Sequence, residues 1–238
     1  MIVKLTGGLG NQLFQYAHAR SKALRENLPL QFCLGDDMGA SGFALDRYDI
    51  DVPIVNAEPT EPFGWYQSED CFLPWVIRAA IRKPKHLSAD TLAWGERFRR
   101  EGDDAVFVHC RRSDNVGSPT HVDLTATAYF DRALRHVRRQ IRTPIFFIFS
   151  DDPDWCEDNL RPMPGFIVRT NQAKGREHED IWLMSQCRHA IIANSSFSWW
   201  GAWLGERAGA VTVAPKEWYV PGCGLDDKGI VPERWTRL

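Results

Sequence analysis

The second half of this chain alternates between short apolar runs and longer stretches with helical spacing. Ala105 to Val108, Ile145 to Phe149, Phe166 to Arg169, Ala190 to Ala193 and Ala210 to Ala214 read as buried strands. Helical patterns fall between them, near 126–142, Trp155 to Leu160, Glu179 to Cys187 and Phe197 to Arg207. Strands that alternate with helices predict an α/β fold with a doubly wound parallel sheet. The first half opens the same way. Ile2 to Leu5 predicts a strand, Thr6 to Gln12 a tight glycine loop and Leu13 to Leu24 a helix. Residues 30–103 are less regular. Asp36-Asp37, Gly39 to Gly42 and the prolines at 53, 59 and 62 predict loops, and Leu73 to Ile81 a helix. Glu101-Gly102-Asp103-Asp104 reads as a linker, which divides the chain into 1–103 and 104–238.

Composition narrows the class. Hydrophobic residues make up 44% and charged residues 25%, ordinary for a globular protein. A net charge of -2 argues against a nucleic-acid partner, so any nucleotide must be held by local charge. Cys33, Cys71, Cys110, Cys156, Cys187 and Cys223 have no metal or redox spacing and read as free thiols of a reducing compartment. No apolar run approaches the roughly 20 residues of a membrane span. Met1 to Leu5 runs straight into glycines without a signal-peptide core. Together these point to a cytoplasmic location and leave room for peripheral membrane association.

The chemistry gathers where the apolar runs end. His109-Cys110-Arg111-Arg112-Ser113-Asp114 places two guanidiniums at a strand end, a grouping shaped to grip a diphosphate. Asn194-Ser195-Ser196 precedes a helix, where hydroxyls, amides and the helix dipole form an anion cradle. Ser150-Asp151-Asp152 supplies a carboxylate able to pair with the edge of guanine. Helix caps and a surface ion-pair cluster are the plain alternatives for the same residues. Gly64 to Glu69 mixes aromatic and polar side chains, with Trp65 and Gln67 suited to a sugar groove or to a packed turn. Asp49-Ile50-Asp51 and Asp152-Pro153-Asp154 have the spacing of a cation-binding pair. The former lies away from any strand end and the latter has the pattern of a helix start, so no metal site is expected.

Three motifs carry a resemblance. His109-Cys110-Arg111-Arg112-Ser113-Asp114 resembles the His-x-Arg-Arg-x-Asp motif of α-1,2-, α-1,6- and protein O-fucosyltransferases. Gly7-Gly8-Leu9-Gly10-Asn11-Gln12-Leu13-Phe14-Gln15-Tyr16-Ala17 and Asn194 to Leu204 are similar to the first and last signatures of the α-1,2-fucosyltransferases of glycosyltransferase family 11. The resemblance implies a GT-B-type fold of two Rossmann-like lobes, the N-terminal one reduced and facing the acceptor, the C-terminal one binding GDP-fucose. It implies an inverting, metal-independent transfer of L-fucose to an oligosaccharide acceptor, most simply O2 of galactose, with no cofactor. An α-1,6 enzyme, a transferase of another GDP-sugar and a binding protein without turnover are the alternatives.

By the same resemblance Arg111 holds the β-phosphate, with Asp114 the candidate base or the residue that holds an arginine in place. His109 and Asp151 or Asp152 meet ribose or guanine. Asn194, Ser195, Ser196 and Phe197 cradle the phosphates, Arg112 belongs to the donor site with a more structural role than Arg111, and Gly10, Asn11 and Gln12 close over the donor. Trp65 and Gln67 meet the acceptor. Ser113 stands where the motif usually has glycine, and Ser118-Pro119-Thr120 where the α-1,6 enzymes carry an acid.

Overall fold

The computed structural model describes residues 1–39, 42–160, 166–169 and 175–238. Two parallel sheets organise them. In the first, β1 (Ile2–Leu5) pairs with β2 (Gln31–Leu34) across helix α1 (Leu9–Glu26), a single strand-helix-strand unit. Helices α2 (Pro74–Ile81) and α3 (Ala89–Glu101) follow. The second sheet takes its strands from β3 (Ala105–Cys110), β4 (Ile145–Ser150), β5 (Phe166–Arg169), β6 (His189–Ile191), β7 (Thr212–Ala214) and β8 (Thr236–Arg237). Their spatial order is β5-β4-β3-β6-β7-β8, parallel throughout. Helices α4 (Tyr129–Gln140), α5 (Pro153–Leu160), α6 (Glu177–Met184) and α7 (Ser196–Gly205) connect them. This is the doubly wound order, and the chain reverses direction across the sheet between β3 and β6. The N-terminal sheet is the reduced partner of a two-lobed GT-B-type fold.

One apolar core runs through both halves. Phe14 of α1 meets Trp199 and Trp200 of α7, with ring centroids 4.6 and 4.7 Å apart. Trp199, Trp200 and Trp203 are fully buried, and each indole N–H has an acceptor: the Ile230 carbonyl, the Gly10 carbonyl and Glu69. Burying three indoles within five residues is favourable only because none of those donors is left unpaired. The tryptophans of the late signature therefore join the halves.

Four expectations need correcting. The glycine loop is shorter than Thr6 to Gln12, because α1 begins at Leu9 and includes Gly10, Asn11 and Gln12. The Gly8 carbonyl accepts from the amides of Asn11 and Gln12 at 3.0 and 3.1 Å, which starts the helix early despite the poor propensity of glycine. Helix α3 was not expected; Ser88 caps it by accepting from the Thr91 amide at 3.2 Å. Strand β2 was also missed, since the pattern Gln31-Phe32-Cys33-Leu34 exposes both ends and buries the middle. The two-residue β8 is recruited by its register with Val213 and Ala214 and has no pattern of its own.

Candidate active site

The carboxyl ends of β3 and β6 flank the crossing point of the sheet, where ligands bind in open α/β folds. A cavity of about 900 Å³ opens there, large enough for a nucleotide and a sugar. From the C-terminal half it is lined by His109, Arg111, Asp114, Asp151, Asn194, Ser195, Ser196 and Phe197, and from the N-terminal half by Gly10, Asn11, Trp65 and Gln67. Gln12, Arg112 and Asp152 lie outside its lining. Asn115, His121, Glu177, Asp180 and Trp218 line it without having been singled out. Asn115 was legible as the residue following the arginine motif, whereas His121 and Trp218 lie in loops without any local pattern.

Arg111 and Asp114 form a two-point pair: Nε and Nη2 donate to the two carboxylate oxygens at 2.7 and 2.8 Å. The hydrogen bond from Arg111 holds the Asp114 carboxyl below its ordinary range. Arg111 Nη1 also lies 3.4 Å from Asp151. Asp151 is turned toward the loop itself, accepting from the amides of Arg112 and Ser113 at 2.9 and 3.2 Å and from the Ser113 hydroxyl. Ser113 thus adds a tie that glycine in its place lacks. Arg112 faces away from the cavity. Its Nε donates to Asp152 at 2.9 Å, its Nη1 to Thr125 at 2.6 Å, and its guanidinium lies 4.4 Å over the Trp155 ring. Asp152 in turn accepts from the Trp155 amide at 3.1 Å and caps α5. Adjacent arginines on a strand end point to opposite sides, which places Arg111 in the cavity wall and gives Arg112 its structural partners.

The opposite strand end presents the N-terminus of α7. Ser195 caps it, accepting from the Phe197 amide at 3.3 Å, and Ser196 begins the helix. Asn194 is buried and spans three segments. It donates to the carbonyls of Val122 and Trp218, both at 2.9 Å, and accepts from Asn115 at the same distance. Gly10 of α1 presses against this helix so closely that an added Cβ would lie 2.6 Å from Ser196 Oγ and 2.7 Å from the Phe197 amide nitrogen. Gln12 is buried behind the loop. Its amide donates to the carbonyls of Gly7 and Gly42, and its oxygen accepts from the Ala44 amide.

His109 is 5% exposed, and its Nδ1 has no hydrogen-bond partner among the described residues. Burial, with the Arg111 cation as a second cause, pushes its pKa down to about 3, so the ring is neutral near pH 7. On the wall contributed by the N-terminal half, Gln67 donates to Asn11 at 2.8 Å and accepts from the Tyr219 hydroxyl at 3.3 Å. Trp65 is 42% exposed beside Phe63, edge to face at 5.1 Å. His121 packs edge-on against Tyr219 and lies 3.0 Å from the Thr120 hydroxyl through Nδ1. Among the described residues no group of three or more His, Cys, Asp or Glu side chains is placed to hold a metal ion. No helix among them is long and apolar enough to cross a membrane.

Comparison with known proteins places this geometry. Residues 64–229 match the profile of Glycosyl transferase family 11. An alpha-1,2-colitosyltransferase of Escherichia coli is 28% identical over an alignment covering 100% of this chain and 98% of the relative. Galactoside alpha-(1,2)-fucosyltransferase 2 of Rattus norvegicus is 31% identical, covering 90% of this chain and 69% of the relative. The O-antigen biosynthesis glycosyltransferase WbnK of Escherichia coli is 30% identical over 58% of this chain, and the match spans 46% of that protein. Among solved structures, NodZ alpha-1,6-fucosyltransferase soaked with GDP-fucose matches in fold, with a TM-score of 0.56 and 14% identity over 85% of this chain and 91% of NodZ. With a profile match over most of its length and a fucosyltransferase-like fold around the cavity, this chain belongs to glycosyl transferase family 11 and is a glycosyltransferase.

Proposed function

We propose that this protein transfers L-fucose from GDP-fucose to O2 of a galactose residue on an oligosaccharide acceptor, with inversion and without a metal ion. One observation carries the reading: Arg111 and the N-terminus of α7 lie on adjacent strand ends around a single cavity. The donor's phosphates lie against Ser195, Ser196 and the Phe197 amide, and Arg111 offsets the charge that develops on the departing GDP. Neutral His109 offers its Nδ1 to a donor hydroxyl. Asp151 is the carboxylate of its pair that reaches the cavity, and Asp114 keeps Arg111 aimed. Gly10 and Asn11 close the cavity from α1, and Trp65 with Gln67 forms the acceptor wall. The galactoside fucosyltransferase relatives support the transferred sugar and the linkage.

A second reading has a specific observation behind it. The colitosyltransferase aligns with the whole of this chain, which favours a different deoxy sugar as the transferred group. Incubation with GDP-fucose and an array of galactosides, followed by linkage analysis, separates the two. The expected product is α-1,2-fucosylated and forms at the same rate in excess EDTA. Absence of transfer with GDP-fucose, together with turnover of a colitose donor, establishes the second reading. Binding of GDP-fucose without release of GDP, with no turnover of a colitose donor either, removes both.

A further inference from the structure

Away from the cavity, the surface of α2 combines two features rarely left to water together. Trp75 is 74% exposed, the most exposed of the large apolar side chains among the described residues. Ala79 lies one turn further along the same face, and Arg82 and Lys83 continue it at the helix end, all exposed. A second hollow of about 530 Å³ lies beside them, lined by Arg78, Ala79, Arg82, Lys83 and Arg207 with the end of α6. Glu206 is the carboxylate at its edge and is already occupied. It accepts from Arg234 Nε at 2.7 Å, Arg234 Nη2 at 2.8 Å and Trp235 Nε1 at 3.0 Å. Arg78 is committed too, with its guanidinium 4.0 Å over the Trp203 ring. Among the described residues, Arg82, Lys83 and Arg207 take part in no ion pair.

An unpaired cationic hollow on a chain of net charge -2 is a local departure from the average, and it calls for an anionic partner. The tryptophan narrows that partner. An indole on the rim of a basic surface suits a lipid headgroup layer, where its ring enters the boundary region while the cations meet phosphates. An acidic protein would satisfy the charge and leave Trp75 in water. We propose that the α2 face docks this protein on an anionic phospholipid surface, with Trp75 inserted and Arg82, Lys83 and Arg207 against headgroup phosphates. The proposal is independent of the donor and acceptor.

Co-sedimentation of the full chain with vesicles tests it. The protein should partition onto vesicles containing phosphatidylglycerol and stay free of pure phosphatidylcholine. The emission of Trp75, read as the difference from a Trp75→Phe variant, should shift to the blue on binding. Removing both charges in Arg82→Gln/Lys83→Gln should weaken partitioning by about 25-fold, fivefold per cation. Trp75→Ala should weaken it by about tenfold. Arg135→Gln/Arg139→Gln on α4 removes the same charge from a helix with no exposed large apolar side chain among the described residues. It should leave partitioning within twofold. Equal loss in the α4 variant reduces the effect to bulk charge and overturns the proposal. So does an absence of partitioning, or soluble polyglutamate binding as tightly as the vesicles with no dependence on Trp75.

Discussion

Asp114 spends both carboxylate oxygens on Arg111, at 2.7 and 2.8 Å. A carboxylate so held has a reduced affinity for protons and makes a poor general base. It makes a good clamp, fixing the guanidinium through a paired hydrogen bond. Arg111→Ala should therefore abolish transfer with the fold intact, a loss of about a hundredfold or more in kcat. Asp114→Asn keeps part of the clamp, so kcat should fall by about tenfold while its pH profile keeps its shape. Disappearance of the acidic limb in Asp114→Asn returns the role of base to Asp114. Normal turnover by Arg111→Ala removes the mechanism.

The contact between α1 and α7 leaves no room beyond a hydrogen at Gly10. The atoms facing it include the Phe197 backbone, which cannot rotate away as a side chain would. Gly10→Ala should destabilise the fold by about 1–3 kcal/mol, as overpacking does. It should also disturb the serines that cap α7, so the affinity for GDP should fall further than thermal stability alone explains. Unchanged urea midpoint and unchanged GDP affinity would show that the two helices separate freely.

His109 contributes an acid-dependent component of stability. Its pKa is near 3 in the folded chain and near 6.5 when unfolded, so between these values the unfolded state binds the extra proton. That contribution is complete above pH 6.5 and falls as the pH drops toward 3. From pH 6.5 to 5, His109→Asn should lose about 1.5 kcal/mol less stability than the parent. Urea unfolding at both pH values measures the difference. Parallel losses in the two proteins would mean that His109 is charged in the folded state.

Trp65 and Gln67 differ in what holds them. Gln67 is pinned between Asn11 and Tyr219, while Trp65 stands half open beside Phe63. Trp65→Ala should raise the acceptor KM by about tenfold with little change in kcat, as loss of a stacking surface does. Gln67→Ala frees Asn11 at the donor wall and should lower kcat as well. A Trp65→Ala enzyme with its acceptor KM intact would move the acceptor to another wall.

Much of the C-terminal sheet was legible in the chain. Its strands β3, β4, β6 and β7 are buried on both faces, so they appear as continuous apolar runs between helical spacings. The N-terminal half was less so. β2 has only two buried positions, and α3 is secured from outside. Buried Glu179 of α6 accepts from the Ser88 amide and hydroxyl and from Thr91, and Arg176 completes its pairing. Burial works to raise its pKa, and the hydrogen bonds led by Arg176 outweigh it and take the carboxyl to about 2. Such a tie between residues about ninety positions apart leaves no local pattern.

The site divides in the same way. Sequence alone determined that arginine, serine and carboxylate residues stand at the ends of buried strands, because the apolar runs and their polar ends are local. It also carried the family signatures, whose residues are contiguous. Only the tertiary structure decided which side each of those residues faces. Arg111 meets the cavity while neighbouring Arg112 packs on Trp155, and Gln12 lies outside the cavity lining and holds the loop before α1. Those outcomes depend on partners brought near by the crossing of β3 and β6 and by the closeness of Gly10 to α7. Hydrogen bonding and steric exclusion act through space, and only the packed chain sets those distances.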